Sequence, residues 1–203
     1  MRVLILAGTG AIGMHLVRLL AGSGVEVVVT SRRERLPEVN EHYLQGDAHD
    51  VEFLEGVLRN GWDAVVDFMV YSTPAFEKRV HTLLSGTEQY VFLSSSRVYA
   101  CAEGRLSEQS PRLLDVCDDK EFLATDEYSL AKARQENILG ASGKHNWTIV
   151  RPYITYAENR LQLGVLEKED WLYRALHGRT IVFDKDIYPM TTTMTYGQDV
   201  AKG

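Results

Sequence analysis

Short apolar runs alternate with amphipathic stretches from the first residues of the chain. Val3 to Ala7 is a continuous, β-prone run, and Met14 to Leu20 repeats leucines at helical spacing. Val25 to Val29 forms a second apolar run, with the polar residues Thr30 and Ser31 at its tip. This order predicts a strand, a turn, a helix and a second strand, which together make one βαβ unit.

Later apolar runs continue the alternation. They predict strands at Ala64 to Met69, Tyr90 to Leu93 and Thr148 to Val150, with a final short strand near Thr180 to Phe183. A helix is predicted over Asp126 to Leu139. Because the strands are apolar throughout and helices separate them, the pattern indicates an α/β fold with a parallel sheet covered on both faces. No repeat or linker divides the chain, so we expect one domain.

Composition excludes several classes of protein. Hydrophobic residues make up 45% and charged residues 25% of the 203 residues, which is typical of a globular domain and not of a disordered segment. The 22 basic and 28 acidic residues give a net charge of −6, and no basic run is longer than Arg32-Arg33. We therefore expect no nucleic-acid partner. The apolar runs are far shorter than the ~20 residues that span a bilayer, so we expect no membrane partner.

The cysteines and the first residues bear on the compartment. Cys101 and Cys117 have neither a CxxC spacing nor histidines at metal-ligand spacing, so we expect free thiols and no metal site. Met1 is followed almost at once by the first predicted strand, which leaves no room for a cleaved signal or transit peptide. Together these features favour the reducing cytoplasm.

A glycine-rich turn lies between the first strand and the first helix. The run Gly8-Thr9-Gly10-Ala11-Ile12-Gly13 fits the pattern GxGxxG at the place that dinucleotide binding requires. The first glycine permits a tight turn, the second lets the backbone approach a pyrophosphate, and the third lets helix and strand pack closely. The pyrophosphate would meet free N–H groups at the helix start. The motif indicates a Rossmann domain, a doubly wound parallel sheet that binds NAD or NADP.

The tip of the second strand bears on the choice of cofactor. A carboxylate at this place would bind the ribose 2′-hydroxyl of NAD, but the chain has Ser31 followed by Arg32 and Arg33. Guanidinium groups bind phosphate as two-pronged donors, so we expect NADP to be preferred, with NAD as the other candidate. The alternative is that the two arginines belong to an ordinary solvated loop.

A tyrosine and a lysine four residues apart are the first candidates for catalysis. Tyr128 and Lys132 fall on the predicted helix, where residues four apart lie on one face. A nearby ammonium favours the phenolate, so the tyrosine can give or take a proton. Three hydroxyls, Ser94 to Ser96, follow the strand that ends at Leu93, at the edge where ligands bind in parallel sheets.

With these motifs the chain resembles the extended or atypical short-chain dehydrogenases/reductases, the NAD(P)-dependent epimerase/dehydratase group. The resemblance covers essentially the whole chain and rests on GTGAIG, on YSLAK from Tyr128 to Lys132, and on SSSRVY from Ser94 to Tyr99, which is similar to the family's SSxxVYG segment. Gly46-Asp47 is similar to the family's adenine-contacting aspartate segment. The resemblance implies cofactor contacts from Gly8, Thr9, Gly10, Ala11, Ile12, Gly13, Ser31, Arg32, Arg33, Asp47, Ala48, Phe68, Met69, Val70, Tyr128, Lys132, Pro152 and Tyr153.

The resemblance also assigns catalytic roles. Tyr128 would exchange a proton with a substrate hydroxyl or carbonyl, and Lys132 would lower the pKa of Tyr128 and bind the nicotinamide ribose. Ser95 matches the family's catalytic serine or threonine and would hydrogen-bond the same substrate oxygen, with Ser96 as the second candidate. The implied partner is a small-molecule substrate with a sugar-like hydroxyl or carbonyl.

Two departures from the family's pattern bear on that substrate. Nucleotide-sugar enzymes of the group carry RPxNxYGP, whereas this chain has Ile154 in the place of the asparagine that touches the substrate pyrophosphate. An apolar isoleucine cannot donate to a phosphate. Met69 and Val70 replace the small residues usual after the fourth strand, and core packing is the simpler interpretation for Met69. Two other functions therefore stay open: a carbonyl reductase of a small molecule, and a non-catalytic relative that senses NADP or binds RNA.

The family comparison further implies what lies outside the cofactor half. Extended members place most of their substrate-binding part beyond a segment similar to Gln198 to Ala201, which begins a helix. The resemblance thus implies one Rossmann domain over residues 1–203, with a short, truncated substrate-binding portion after about residue 152, or a compact relative whose site another subunit completes.

Two further expectations concern surfaces. The family often dimerises through the helix that carries the YxxxK pair, and Ala131, Ile138 and Leu139 would supply apolar area for a homodimer. The acid-rich stretch from Asp115 to Glu121 is expected to be a solvated loop ahead of that helix, with no metal.

Overall fold

Six parallel strands in the order β3-β2-β1-β4-β5-β6 form the centre of the molecule. The structure is a computed structural model that describes residues 1–101, 104–164, 166–187 and 189–203. The order reverses between β1 and β4, which is the arrangement of the doubly wound Rossmann sheet, as the sequence predicted. The strands are β1 (Arg2–Leu6), β2 (Glu26–Ser31), β3 (Glu41–Gln45), β4 (Trp62–Asp67), β5 (Thr87–Leu93) and β6 (Trp147–Val150).

Helices cover both faces of this sheet. One face packs mainly against α1, and the other packs against α2, α3, α4 and α7. Side chains of β1 alternate between the two faces of the sheet. Leu4 and Leu6 point into one apolar cluster, and Val3 and Ile5 point into the other. The helices are α1 (Gly13–Gly22), α2 (Val51–Leu58), α3 (Thr73–Glu77), α4 (Val80–Ser85), α5 (Leu113–Val116), α6 (Lys120–Leu123), α7 (Tyr128–Ala141), α8 (Lys168–Leu176) and α9 (Gly197–Lys202).

A smaller region follows the sheet. It contains the parallel pair of β7 (Ile154–Tyr156) and β10 (Met194–Tyr196), and the antiparallel pair of β8 (Gln162–Leu163) and β9 (Leu166–Glu167). The helix predicted at the QDVA segment is α9, which packs on α1. A Cβ at Gly197 would lie 2.1 Å from the Ala11 carbonyl oxygen, so a glycine is required at this close approach.

The acid-rich stretch is largely solvent-exposed, as predicted, but it is not wholly a loop. It takes in the end of α5 and the start of α6, and Asp119 accepts hydrogen bonds from the N–H groups of Glu121 and Phe122 at the start of α6. Asp115 accepts two hydrogen bonds from the Arg112 guanidinium, at 2.8 and 3.0 Å. The segment is thus ordered by a helix cap from Asp119 and by the ion pair of Asp115 with Arg112. Neither interaction can be predicted from the composition of the stretch.

The strand predicted near Thr180 to Phe183 is also wrong. Residues 179–184 have no regular secondary structure, and the Val182 side chain is 75% exposed. An apolar run forms a strand only where a neighbour supplies hydrogen bonds, and the late strand β10 pairs with β7 instead. Within the described ranges, no helix has both the length and the apolar character needed to cross a membrane.

Candidate cofactor and active site

The loop from Ala7 to Gly13 joins β1 to α1 through close backbone contacts. A Cβ at Gly13 would lie 2.4 Å from the Gly8 carbonyl oxygen, which confirms that Gly13 is needed for packing. A Cβ at Gly8 would lie 2.6 Å from Ile5 Cγ2. The left-handed residue of this turn is Ala7, with φ 55°, and its N–H donates to Thr30 Oγ1 at 3.1 Å.

Gly10 differs from its two neighbouring glycines. A Cβ there would meet no protein atom within 4 Å, so nothing within the chain's own packing requires a glycine. Ile12 precedes α1 and makes no side-chain cap, so no side chain of the N-cap occupies the first N–H groups of the helix. Open space over Gly10 and an uncapped helix start fit a diphosphate, which would bind these N–H groups.

The tip of β2 is an ordered turn. Ser31 Oγ donates to the Arg33 carbonyl at 2.8 Å and accepts from the Arg33 N–H at 3.2 Å. The serine hydroxyl is thus engaged, and the exposed side chains at this place are those of Arg32 and Arg33. The Gly46 N–H donates to the Ser31 carbonyl at 2.9 Å, which brings the loop with Asp47 beside the tip of β2.

The segments after β3 and β4 place different side chains toward solvent. Asp47 is exposed, whereas Ala48 is buried. Phe68 packs against one apolar cluster and Met69, 8% exposed, lies within the other, so the core packing expected of Met69 is found. Val70 is 59% exposed and is the apolar side chain of this segment that a ligand can contact.

Three serines follow β5, and the structure separates their roles. Ser94 Oγ donates to Glu136 Oε1 at 2.5 Å and is therefore occupied. Ser95 is 8% exposed, and its Oγ accepts from the Arg97 N–H at 3.2 Å, which leaves its own proton for another acceptor. Ser96 turns into a short 3-10 helix, and its N–H donates to the Pro152 carbonyl at 3.0 Å. Ser94 is thus engaged through its hydroxyl, whereas Ser95 keeps its hydroxyl proton and Ser96 is held through its backbone N–H.

The helix α7 begins at the tyrosine of the YxxxK pair. Glu127 precedes it and accepts from the Ser129 N–H at 2.7 Å, so the position of Tyr128 at the start of the helix is fixed by a cap. The Arg97 guanidinium lies 5.5 Å from the Tyr128 ring centroid and is held by Glu127 at 2.8 Å. The Tyr128 side chain is half-buried, so part of it is accessible to a ligand, while its backbone is held at the start of the helix.

Lys132 lies one turn further along α7 and is 2% exposed. Its Nζ donates to the Leu93 carbonyl at 2.6 Å and lies 4.4 Å from the Phe92 ring centroid. Burial lowers the pKa of Lys132 to about 8, although the charges of Asp67 and Glu136 act in the opposite direction. At neutral pH Lys132 is therefore mostly in the ammonium form, with its pKa only slightly above the pH.

Sequence reasoning missed two buried carboxylates beside this lysine. Asp67, at the end of β4, is 1% exposed, and burial raises its pKa. Glu136, on α7, is 4% exposed and accepts hydrogen bonds from Arg151 at 2.7 and 2.8 Å and from Arg112 at 3.2 Å. These contacts outweigh burial and hold the pKa of Glu136 below its usual range. Glu136 stands four residues after Lys132, a spacing that could have indicated a shared helix face.

The segment after β6 carries the last predicted contacts. Arg151 is engaged by Glu136 and by the Tyr99 hydroxyl at 2.8 Å, so it serves the packing of α7. Pro152 and Tyr153 follow, with the Tyr153 side chain 37% exposed. Ile154, in the place of the family's asparagine, is the first residue of β7.

The predicted site residues thus share one edge of the sheet. Ser31 is the last residue of β2, and the other strands β1, β3, β4, β5 and β6 are followed by the glycine loop, Asp47, Val70, Ser95 and Pro152 respectively. Ligands of open parallel sheets bind at this edge, where the strand order reverses. The three residues that we expected to supply apolar area for a homodimer belong to the core of the single chain. Ala131 and Leu139 are buried, and Ile138 packs against the core.

The comparisons with known proteins agree with this arrangement. Residues 7–181 match the model of a family described as NAD(P)H-binding. A curated relative, the chloroplast stem-loop binding protein of 41 kDa b from Arabidopsis thaliana, is 28% identical over 199 residues; the match covers 89% of this chain and 48% of the relative. The chain therefore spans about half the length of that relative.

Solved structures with the same fold include an epimerase and a dehydratase. A UDP-glucuronic acid 4-epimerase from Bacillus cereus, in complex with UDP-4-deoxy-4-fluoro-glucuronic acid and NAD, is 15% identical with a TM-score of 0.73, over 100% of this chain and 71% of that one. An NAD-dependent NDP-hexosamine 5,6-dehydratase involved in tunicamycin biosynthesis is 21% identical with a TM-score of 0.73, over 99% of this chain and 69% of that one. The fold is that of these NAD-dependent epimerase and dehydratase structures, and the chain belongs to the NAD(P)H-binding family.

Proposed function

We propose that the chain carries the cofactor-binding and catalytic half of an NADP-dependent oxidoreductase or epimerase/dehydratase that acts on a sugar-like hydroxyl or carbonyl. The observation that carries the proposal is the arrangement at the end of β5. There the hydroxyl of Ser95 keeps a free proton, and the buried Lys132 ammonium shares the first turns of α7 with Tyr128.

Each of these three residues has a chemical task. Tyr128 gives a proton to a substrate carbonyl oxygen or takes one from a hydroxyl. The positive charge of Lys132 favours the phenolate and so lowers the energy of that proton transfer. Ser95 donates to the same oxygen and fixes its direction. A bound nicotinamide would supply hydride exchange with the substrate carbon.

The preference for NADP rests on the tip of β2. The two guanidinium groups of Arg32 and Arg33 are exposed there, and Ser31 organises the turn that carries them. No carboxylate stands at the end of β2 to bind a ribose 2′-hydroxyl. A 2′-phosphate would find two cations there, whereas the end of β2 itself offers no carboxylate to the NAD ribose. Equal affinity for NADH and NADPH in a fluorescence titration would contradict the preference.

The substrate class is drawn from chemistry and from the relatives. Two solved neighbours act on UDP-glucuronic acid or an NDP-hexosamine by their names, which supports a sugar nucleotide. Ile154 offers no donor to a substrate pyrophosphate, so a sugar nucleotide would need other donors in the complete protein. A smaller carbonyl compound is the second substrate class, and net consumption of NADPH separates simple reduction from epimerisation or dehydration.

The decisive experiment compares the chain with Tyr128→Phe. The variant keeps the ring and removes the proton, so turnover of any accepted sugar nucleotide should fall at least about 100-fold. Binding of NADPH, measured by fluorescence, should stay within a factor of about 3. Tyr156→Phe, on β7, is the matched control and should keep full turnover. An unchanged rate in Tyr128→Phe would refute the proposed mechanism.

A second candidate is RNA binding without catalysis. It is favoured by one observation, the name of the curated relative, which is a stem-loop binding protein. The net charge of −6 argues against a large phosphate footprint. A gel-shift titration with an RNA stem-loop tests it directly. Binding at micromolar concentration that NADPH does not displace, with no turnover of any substrate, would favour this candidate.

A further inference from the structure

A buried carboxylate lies on the side of the sheet that faces the lysine of the site. Asp67 ends β4 and is paired in register with Phe92 of β5. The Lys132 ammonium lies 4.4 Å from the centroid of that same phenylalanine ring. Both polar groups are thus next to one side chain, and each is no more than 2% exposed.

The hydrogen bonds of Asp67 come from neutral donors. The Tyr90 hydroxyl donates to Oδ2 at 2.8 Å, and the Met69 N–H donates to Oδ1 at 2.8 Å. Tyr71 also faces the carboxylate, and burial together with the charge of Asp67 raises the pKa of Tyr71. Within residues 1–101, 104–164, 166–187 and 189–203, no cation lies within 4.0 Å of Asp67. When ionised, Asp67 is therefore not neutralised by a contact ion pair; burial raises its pKa, and the positive charge of Lys132 opposes that shift.

The other carboxylate near Lys132 is in the opposite situation. Glu136 is held by the guanidinium groups of Arg151 and Arg112, so its charge is already balanced by two cations. The further cation on this side, Arg79, stands over the ring of Tyr71 at 5.6 Å and not against Asp67. Of the two carboxylates that act on Lys132, Asp67 is the one whose charge is free to act.

We propose that Asp67 is a positioning residue of the site, and that its buried carboxylate keeps Lys132 in the ammonium form on which the proposed chemistry rests. A desolvated lysine without an opposite charge loses its proton readily. The neutral donors Tyr90 and Met69 stabilise the carboxylate without cancelling its charge. The charge therefore acts on Lys132 through the low-dielectric interior.

The proposal can be tested without substrate or cofactor, by NMR titration of the chain carrying lysine labelled at Cε. The Lys132 signal is assigned as the one missing from Lys132→Met. In the unaltered chain it should titrate at about 8. In Asp67→Asn its midpoint should fall by about one pH unit or more, because an opposite charge nearby is worth that amount.

Two matched variants separate charge from structure. Asp63→Asn, on the same strand, removes a carboxylate whose side chain is 46% exposed and faces the N-terminus, and should leave the Lys132 midpoint unchanged. Tyr90→Phe removes a hydrogen bond to Asp67 but keeps the charge of Asp67. The Lys132 midpoint in this variant should therefore lie closer to that of the unaltered chain than to that of Asp67→Asn. Equal falls in Tyr90→Phe and Asp67→Asn, or no fall in either, would overturn the proposal.

A reciprocal measurement tests the proposal even if Asp67→Asn does not fold. In Lys132→Met the Asp67 carboxyl should titrate at higher pH than in the unaltered chain, since coupling between two sites acts equally in both directions. An unchanged Asp67 midpoint would overturn the proposal. Both readouts are independent of turnover, so loss of the proposed function through an inactive Tyr128 would leave them intact.

Discussion

The six-stranded part of the molecule and the region after residue 150 bury their side chains very differently. β1 alone contributes four apolar residues that are at most 2% exposed. Among the described residues after 150, by contrast, Ala157 is the only buried hydrophobic residue. Large apolar side chains are exposed there instead, including Tyr173, Leu176, Val182, Phe183, Ile187 and Met190. Hydrophobic burial stabilises the first region, whereas the second buries little apolar surface and is joined to the first partly through α9, which packs on α1.

Charges follow the same division. The first region encloses Asp67, Lys132 and Glu136. In the second region, the ion pair between Arg160 and Glu167 has side chains that are 49% and 41% exposed. Buried charges are costly to leave without a partner, whereas exposed pairs are screened by solvent. The first region thus encloses charged residues in its interior, whereas this ion pair of the later region is solvent-exposed.

Removing one charge from each region should give the largest contrast. Glu136→Gln leaves Arg151 and Arg112 without their shared carboxylate, and we expect a loss of about 3–5 kcal/mol in unfolding free energy. Arg160→Gln should lose less than about 1 kcal/mol, and less still at high salt. Urea denaturation at two salt concentrations measures both. Similar losses in the two variants would remove the distinction between the regions.

Truncating one leucine in each region tests the apolar side of the comparison. Leu4→Ala opens a cavity at a side chain that is fully buried in β1, and should cost about 2–5 kcal/mol. Leu176→Ala, at a side chain that is 74% exposed, should change stability by less than about 0.5 kcal/mol. Chemical denaturation provides the values. A cost at Leu176 near that at Leu4 would mean that another surface covers the later region in solution.

Replacing the buried lysine should stabilise the fold at neutral pH. Burial lowers the pKa of Lys132 to about 8 from 10.5, so the unfolded chain binds the proton more tightly than the folded one. This cost is complete below pH 8 and disappears as the pH rises toward 10.5. Lys132→Met should therefore gain about 1–3 kcal/mol at neutral pH, after the loss of the positive charge near Asp67 and of the donor to the Leu93 carbonyl is included. Thermal unfolding at neutral and alkaline pH should show the gain shrinking; a loss at neutral pH would contradict this account.

Much of the sheet was predictable, because a strand buried on both faces is apolar at every position. β1, β2, β4, β5 and β6 all follow predicted runs within a few residues. The edge strand β3 has the sequence EHYLQ, with polar residues at most positions, and gave no continuous run. The helix of the YxxxK pair was predicted at Asp126 to Leu139, and its start shifts to Tyr128 because Glu127 serves as the cap.

The chemistry of the site was only partly visible in the sequence. Tyr128, Lys132 and Ser95 follow from spacing and from resemblance, but nothing in the sequence shows that Ser94 is engaged by Glu136, 42 residues further along the chain. Asp67 appears in the sequence as one acidic residue after an apolar run. Its burial depends on β5 and α7 closing over it, and no local pattern encodes that.

The left-handed turn at Ala7 affects how the phosphate loop meets its ligand. A glycine at this position would let the loop before Gly10 sample many backbone angles. The alanine restricts those angles, and its N–H is tied to Thr30 on the neighbouring strand. The loop therefore holds its shape before a dinucleotide arrives, and binding does not have to include the entropy of ordering it. Preorganisation of the phosphate cradle is thus built into a backbone conformation that costs the folded chain a little strain.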